Sequence, residues 1–132
     1  HKTIQDDPNT LIEMIEENTP PTLESYNEIK ENDTGGVLWK GFRALFLNRC
    51  SFNGMTHGGP IGGKNQTGGW LVDCCWKEDK LIDKVRGIHE EFKDNVKITN
   101  IDFGEMITEP GENVLIYLDP PYYHEGNKIL NI

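Results

Sequence analysis

The residues of this chain best suited to chemistry are Asp119, Pro120, Pro121 and Tyr122, which follow an apolar run over residues 114–118. An aromatic exocyclic amine is a poor nucleophile because its lone pair is delocalised into the ring. It attacks an electrophilic methyl carbon more readily when both N–H bonds point at fixed acceptors and the nitrogen can rehybridise. Asp119 supplies one acceptor and the carbonyl of Pro120 the other, while the two prolines fix φ and bring no competing N–H donors. Tyr122 offers a flat face on which a flipped base can stack. The same four residues also make an ordinary turn after a strand, so the tetrapeptide alone leaves both readings open. At the carboxyl end of a strand in an open α/β sheet it would lie where such sheets bind ligands.

The elements that must position this motif follow from periodicity and turn chemistry. Residues 9–17 read as a short helix capped by Asn9 or Thr10, and Thr19-Pro-Pro21 ends it. A second helix begins at Thr22, with Leu23, Tyr26 and Ile29 or Lys30 along one side. Residues 37–49 predict a third, with Leu38, Phe42 and Leu45 on one face and Lys40 and Arg43 able to point together into solvent. Ten of the fourteen glycines fall within 35–69, which predicts a loop or irregular hairpin rather than helix. A strand over 70–76 closes it. Residues 78–94 give the clearest helix, with Leu81, Val85, Ile88 and Phe92 on a single stripe. A strand over 96–101, a short helix over 103–108 and a strand over 114–118 follow, the order of a βαβ unit.

Net charge of −9 disfavours a polyanionic partner until its distribution is read. Residues 1–33 hold nine acids and two bases, and residues 73–132 hold thirteen acids and seven bases. Between them, residues 34–72 hold no acid, only Lys40, Arg43, Arg49 and Lys64. A phosphate backbone excludes carboxylates from its contact surface and rewards Lys and Arg there; an uncharged glycine-rich loop would show the same gap. Three cysteines, two of them adjacent, are an odd number without metal-ligand spacing, and read as reduced thiols in a cytosolic setting. His57, His89 and His124 offer no triad; His89 reads as structural and His124 as a possible substrate contact after the 119–122 motif. No apolar run is long enough to span a bilayer, and the start has no signal-peptide core. With no initiator Met, and an end soon after Tyr122, both termini read as cut.

Three motifs in order carry a resemblance. Asp119-Pro-Pro-Tyr122 after Leu-Ile-Tyr-Leu resembles the catalytic motif of amino-directed DNA methyltransferases, the Asp form pointing to adenine. Leu47-Asn-Arg-Cys-Ser-Phe-Asn-Gly54 is similar to the signature of Dam-type DNA adenine-N6 methyltransferases. Gly58-Gly-Pro-Ile-Gly-Gly-Lys-Asn-Gln66 resembles the loop that follows it in one bacterial branch of that family. The resemblance runs from about residue 37 to 126. It implies methyl transfer from S-adenosylmethionine to N6 of a flipped adenine in duplex DNA, within a restriction-modification setting in a bacterial or phage-infected cytoplasm. The fold it implies is α/β: part of a Rossmann-like methyltransferase sheet behind a helical and Gly-rich recognition segment. Residues 1–36 would be a helical segment, 37–76 the target-recognition region and 77–132 part of the catalytic domain.

The resemblance also implies roles. Lys40, Arg43, Arg49 and Lys64 would meet phosphates, and Asn53, Asn65 and Gln66 would reach base edges. Asp102, Phe103 and Asp119 would hold the cofactor, Asp102 and Phe103 at the adenine of S-adenosylmethionine. Asn48 and Arg49 also read as internal braces, and Asp102 as a helix cap. One departure stands out: the Phe-x-Gly-x-Gly-like loop that embraces the methyl donor in the family has no counterpart here. The expectation is therefore a chain inactive on its own, completed by a further N-terminal segment or a partner chain. The alternative is a DNA-binding module without catalysis.

Overall fold

The computed structural model describes residues 1–108 and 112–119. The chain divides into two compact units, His1–Ile98 and Thr99–Ile132. The first is built from five helices: α1 (Lys2–Asp6), α2 (Pro8–Glu17), α3 (Leu23–Glu31), α4 (Val37–Cys50) and α5 (Glu78–Phe92). Their starts follow from local chemistry. Asp7 caps α2 by accepting from the Thr10 amide at 3.1 Å, and Pro8 occupies the first turn, where a missing N–H costs nothing. Thr22 and Ser25 form a reciprocal capping box at the head of α3.

α4 is central. Phe42, Phe46 and Cys50 recur every four residues on one face, and all three are fully buried with Leu47. Around them gather Ile15 of α2, Tyr26 and Ile29 of α3, and Leu81, Ile82 and Val85 of α5. An aromatic file runs from Phe42 to Phe46 (ring centroids 5.8 Å apart) and on to Trp76 (5.1 Å). Trp76 is pinned in turn, its indole N–H donating to Thr19 Oγ1 at 2.8 Å. α1 locks onto the end of α5. Gln5 Nε2 donates to the Phe92 carbonyl at 3.0 Å and also to that of Val96, and His89 Nδ1 lies 3.0 Å from the Ile4 carbonyl.

The helices expected from the sequence are present, with a shift of a residue or two at their ends, and α1 joins them. The α/β expectation is not met: the described residues are helices, turns and loops, with no strand and one isolated antiparallel bridge, Ser51 to Pro60. Each expected strand fails for its own reason. In 70–76 the buried residues are Val72 and Trp76, four apart, and the Cys74 and Trp76 amides donate to the Leu71 and Asp73 carbonyls. Burial alternates there as it would on a pleat, but these bonds between residues three apart close turns and leave no ladder. Over 96–101 the Val96 amide donates back to Phe92, extending the last turn of α5 rather than joining a ladder. Residues 114–118 lie without helix or ladder and are all exposed, Leu115 at 93% and Tyr117 at 85%. A strand needs a neighbour for its backbone N–H and C=O groups, and none exists among the described residues. The βαβ unit and the Rossmann-like sheet fragment are therefore not found among the described residues.

The second unit is described over residues 99–108 and 112–119. It contains the short helix α6 (Phe103–Ile107), capped by Asp102, whose Oδ1 accepts from the Gly104 amide at 2.8 Å.

Candidate nucleic-acid interface

The last turn of α4 delivers the chain to Cys50 and Ser51, both buried, and from there into a surface loop. Two backbone bonds clamp the base of that loop: Phe52 N–H to the Gly59 carbonyl at 3.0 Å, and Ile61 N–H to that of Cys50 at 2.9 Å. Beneath them the Tyr26 hydroxyl donates to the Gly58 carbonyl at 2.9 Å and lies 3.0 Å from Ser51 Oγ. Since Tyr26 has one hydroxyl proton, Ser51 donates to Tyr26. Lys30 Nζ reaches the same Gly58 carbonyl. The clamp leaves residues 52–58 projecting, with Phe52 61% exposed at their start. Asn53 and Gly54 take left-handed φ values of 54° and 70°, and Asn48 Nδ2 donates to the Gly54 carbonyl at 3.1 Å. Asn48 is thus a brace, as one of its two readings had it.

The glycine-rich stretch is held by Gln66. Its amide nitrogen donates to the carbonyls of Ile61 (2.8 Å) and Gly63 (2.7 Å), and its oxygen accepts from the Val72 amide at 2.9 Å. Gly62 has φ +83°, and a Cβ there would lie 2.7 Å from the Trp70 carbonyl, so only glycine permits this approach. The result is an open cavity of about 570 Å³ whose wall includes Phe52, Asn53, Gly62, Trp70, Cys74 and Cys75. Trp70 stands 74% exposed on it. Two exposed aromatic rings beside an amide, at the end of an acid-free tract with Asp73 next along the chain, suit stacking and polar contact with nucleobases. Sequence reading had not singled out Phe52 as a contact, nor Trp70; the signal was their place in the acid-free tract.

The expected contact residues do not all gather here. Lys40 and Lys64 are exposed and make no ion pair among the described residues, and Asn53 and Asn65 are exposed as well. Arg43 turns inward: Nε donates to the Ile29 carbonyl at 3.0 Å, Nη2 to that of Lys30 at 2.7 Å, and Nη1 lies 3.3 Å from Asp33 Oδ1. It caps the C-terminus of α3, where a cation also meets the helix dipole. Arg49 lines a different cavity, of about 380 Å³, together with Leu45, Lys84 and Val85, and its Nε is buried without a partner. Gln66 has its amide engaged within the loop.

In the second unit Asp102 and Asp119 are exposed, and Asp102 is a helix cap. Pro120, Pro121, Tyr122 and His124, and the side chain of Phe103, lie outside the described residues. Among the described residues no His, Cys, Asp and Glu side chains gather as a metal site, and no helix is long and apolar enough to cross a membrane. Burial pushes the Cys50 thiol from 9.0 up to about 12, with the neighbouring Cys75, Asp73 and Cys74 adding to the rise.

Comparison with known proteins follows the same lines. A type II methyltransferase of Lactococcus lactis subsp. cremoris is 26% identical over an alignment of 132 residues, covering 92% of this chain and 45% of that protein. The chain thus spans less than half the length of this curated relative. No solved structure matches. The family description that fits is D12 class N6 adenine-specific DNA methyltransferase, matched over residues 2–129. With nearly its whole length matched, and with the Asp119 motif inside the match, the chain belongs to the D12 class of N6 adenine-specific DNA methyltransferases.

Proposed function

We propose that this chain is the DNA-engaging part of an adenine-N6 methyltransferase, and that residues 37–76 form its contact surface on duplex DNA. The observation that carries the reading is the loop of residues 52–70: exposed Phe52, Asn53 and Trp70 around one cavity, in a tract with no carboxylate. Lys40 and Lys64 meet phosphates, where a mobile cation suits a line of charge. Asn53 and Asn65 face base edges, to which an amide can donate and accept together. Arg43 and Gln66 act one step back, holding α3 and the loop in shape, and Arg49 contributes from the edge of its cavity.

In the second unit, Asp119 and the Pro120 carbonyl accept the two N–H bonds of the target amine, and Tyr122 stacks on the flipped base. The donor set suits S-adenosylmethionine: the exposed carboxylates of Asp102 and Asp119 can accept from its hydroxyl and amino groups, and Phe103 brings an aromatic ring. S-adenosylmethionine, when bound, supplies an electrophilic sulfonium methyl. Asp119 keeps its negative charge facing the nitrogen as that atom becomes cationic. Such stabilisation is realised in the transition state, so within a transfer-competent enzyme carrying this segment Asp119→Asn lowers kcat by about a hundredfold or more, with KM for DNA little changed. A kcat within a few-fold of the parent would remove Asp119 from this role.

The chain alone binds duplex DNA without methylating it, because among the described residues both carboxylates stand open to water. The test pairs fluorescence anisotropy on duplex DNA and on duplex RNA with transfer of a radiolabelled methyl group. DNA-selective binding without label incorporation is expected. Equal binding of RNA would overturn the substrate assignment, and incorporation would overturn the inactivity of the chain.

A further inference from the structure

Cys74 and Cys75 are the two thiols in the wall of the loop cavity, and their sulfurs lie 3.7 Å apart. They are not free to drift. Val72 on one side and Trp76 on the other are buried, and the turns Leu71–Cys74 and Asp73–Trp76 are closed by backbone bonds of 3.0 and 2.8 Å. Anchored at both ends, the dipeptide presents its two side chains on the same cavity, Cys75 exposed and Cys74 half-buried. This is a preformed dithiol.

We propose that Cys74 and Cys75 form a chelating site for a soft, thiophilic trivalent metalloid, of which a monosubstituted arsenical is the simplest member. Sulfur is the ligand such centres prefer, and a pyramidal trivalent atom bridges two sulfurs at a separation of this order. The chemistry balances without an oxidant. Two As–S bonds form, the arsenic–oxygen bonds break, and both thiol protons leave with that oxygen as water; arsenic stays trivalent. Cys75, the exposed thiol, bonds first, and Cys74 closes the chelate. The Cys74 thiol is held up by desolvation and by its hydrogen bond to Cys75, so it enters as the second partner, once Cys75 is bonded. Cys50 takes no part, being fully buried.

The consequence for nucleic acid rests on the reading above: a ligand on this dithiol shares its cavity with Phe52, Asn53 and Trp70, and so competes with DNA. The experiment uses phenylarsine oxide on the whole chain, read by intact-mass spectrometry and by anisotropy on duplex DNA. One adduct per chain is expected, resistant to excess monothiol and released by a dithiol. Cys74→Ser and Cys75→Ser should each weaken capture by at least about a hundredfold, since the second bond is then lost. Capture unchanged in both variants, or reversed by a monothiol, would overturn the site. If the adduct forms as expected but DNA affinity does not fall, the dithiol site stands and the placement of DNA at this cavity is what fails.

Discussion

Arg43 and Lys40 sit one helical turn apart on α4, yet their side chains end in different places. Arg43 donates to two carbonyls at the end of α3, and Lys40 ends in solvent. Removing Arg43 leaves those carbonyls without their charged donor, whereas its ion pair to the exposed Asp33 adds little. Arg43→Ala should therefore cost about 1–3 kcal/mol of stability, seen as a lower urea midpoint at unchanged slope. Lys40→Ala should stay within about 0.5 kcal/mol. A reversed order would mean that the cap is not what holds α3. Cys50 gives a second residue-scale test. Its thiol is held at about 12 in the fold against 9.0 when free, so the folded state keeps the proton longer. Its contribution is complete below pH 9 and is lost as pH rises towards 12. Chemical denaturation of the parent and of Cys50→Ala across that window should show the steeper alkaline loss in the parent. Cys75 should label quickly in the native protein, Cys74 more slowly, and Cys50 only on unfolding.

At the scale of elements, the Gln66 amide and the close approach at Gly62 decide the shape of the glycine-rich loop. Gln66→Ala removes three hydrogen bonds at once and should lower Tm by roughly 3–8 °C, with a loss of DNA affinity that Asn65→Ala would show without the thermal shift. An unchanged Tm would mean that the loop holds its form without Gln66. The start of α2 was misplaced, its cap being Asp7 rather than Asn9 or Thr10. Otherwise the helices were legible beforehand because their information is local: Thr22 opens α3, and Leu81 and Val85 lie on one stripe. The expected strands were not, because an apolar run such as 114–118 says nothing about a pairing partner. Over 70–76 the side chains do alternate, with Val72, Cys74 and Trp76 inward, but the backbone closes turns on itself instead of pairing with a neighbour. Charge counting singled out a tract but not the fate of each cation. Whether Arg43 reaches a phosphate or a carbonyl depends on where α3 ends, which lies outside its own neighbourhood in sequence.

For the molecule as a whole, a net charge of −9 coexists with a tract free of acids, residues 34–72, and the proposed contact surface 37–76 adds only Asp73 to it. Acidic segments on both sides of residues 34–72 oppose non-specific binding to a polyanion and leave one tract able to approach it. Family membership states the class of reaction, and the chain spans 45% of the length of the Lactococcus relative. The central claim is that DNA meets residues 37–76. The slope of log affinity against log salt tests it most directly, because each phosphate contact contributes about 0.9 to that slope. Measured on one duplex, Lys40→Ala combined with Lys64→Ala should reduce the slope by about two. Lys80→Ala, on the exposed side of α5, should leave it unchanged. A slope untouched by the double variant, or lowered as much by Lys80→Ala, would place the DNA elsewhere on the chain and contradict the account.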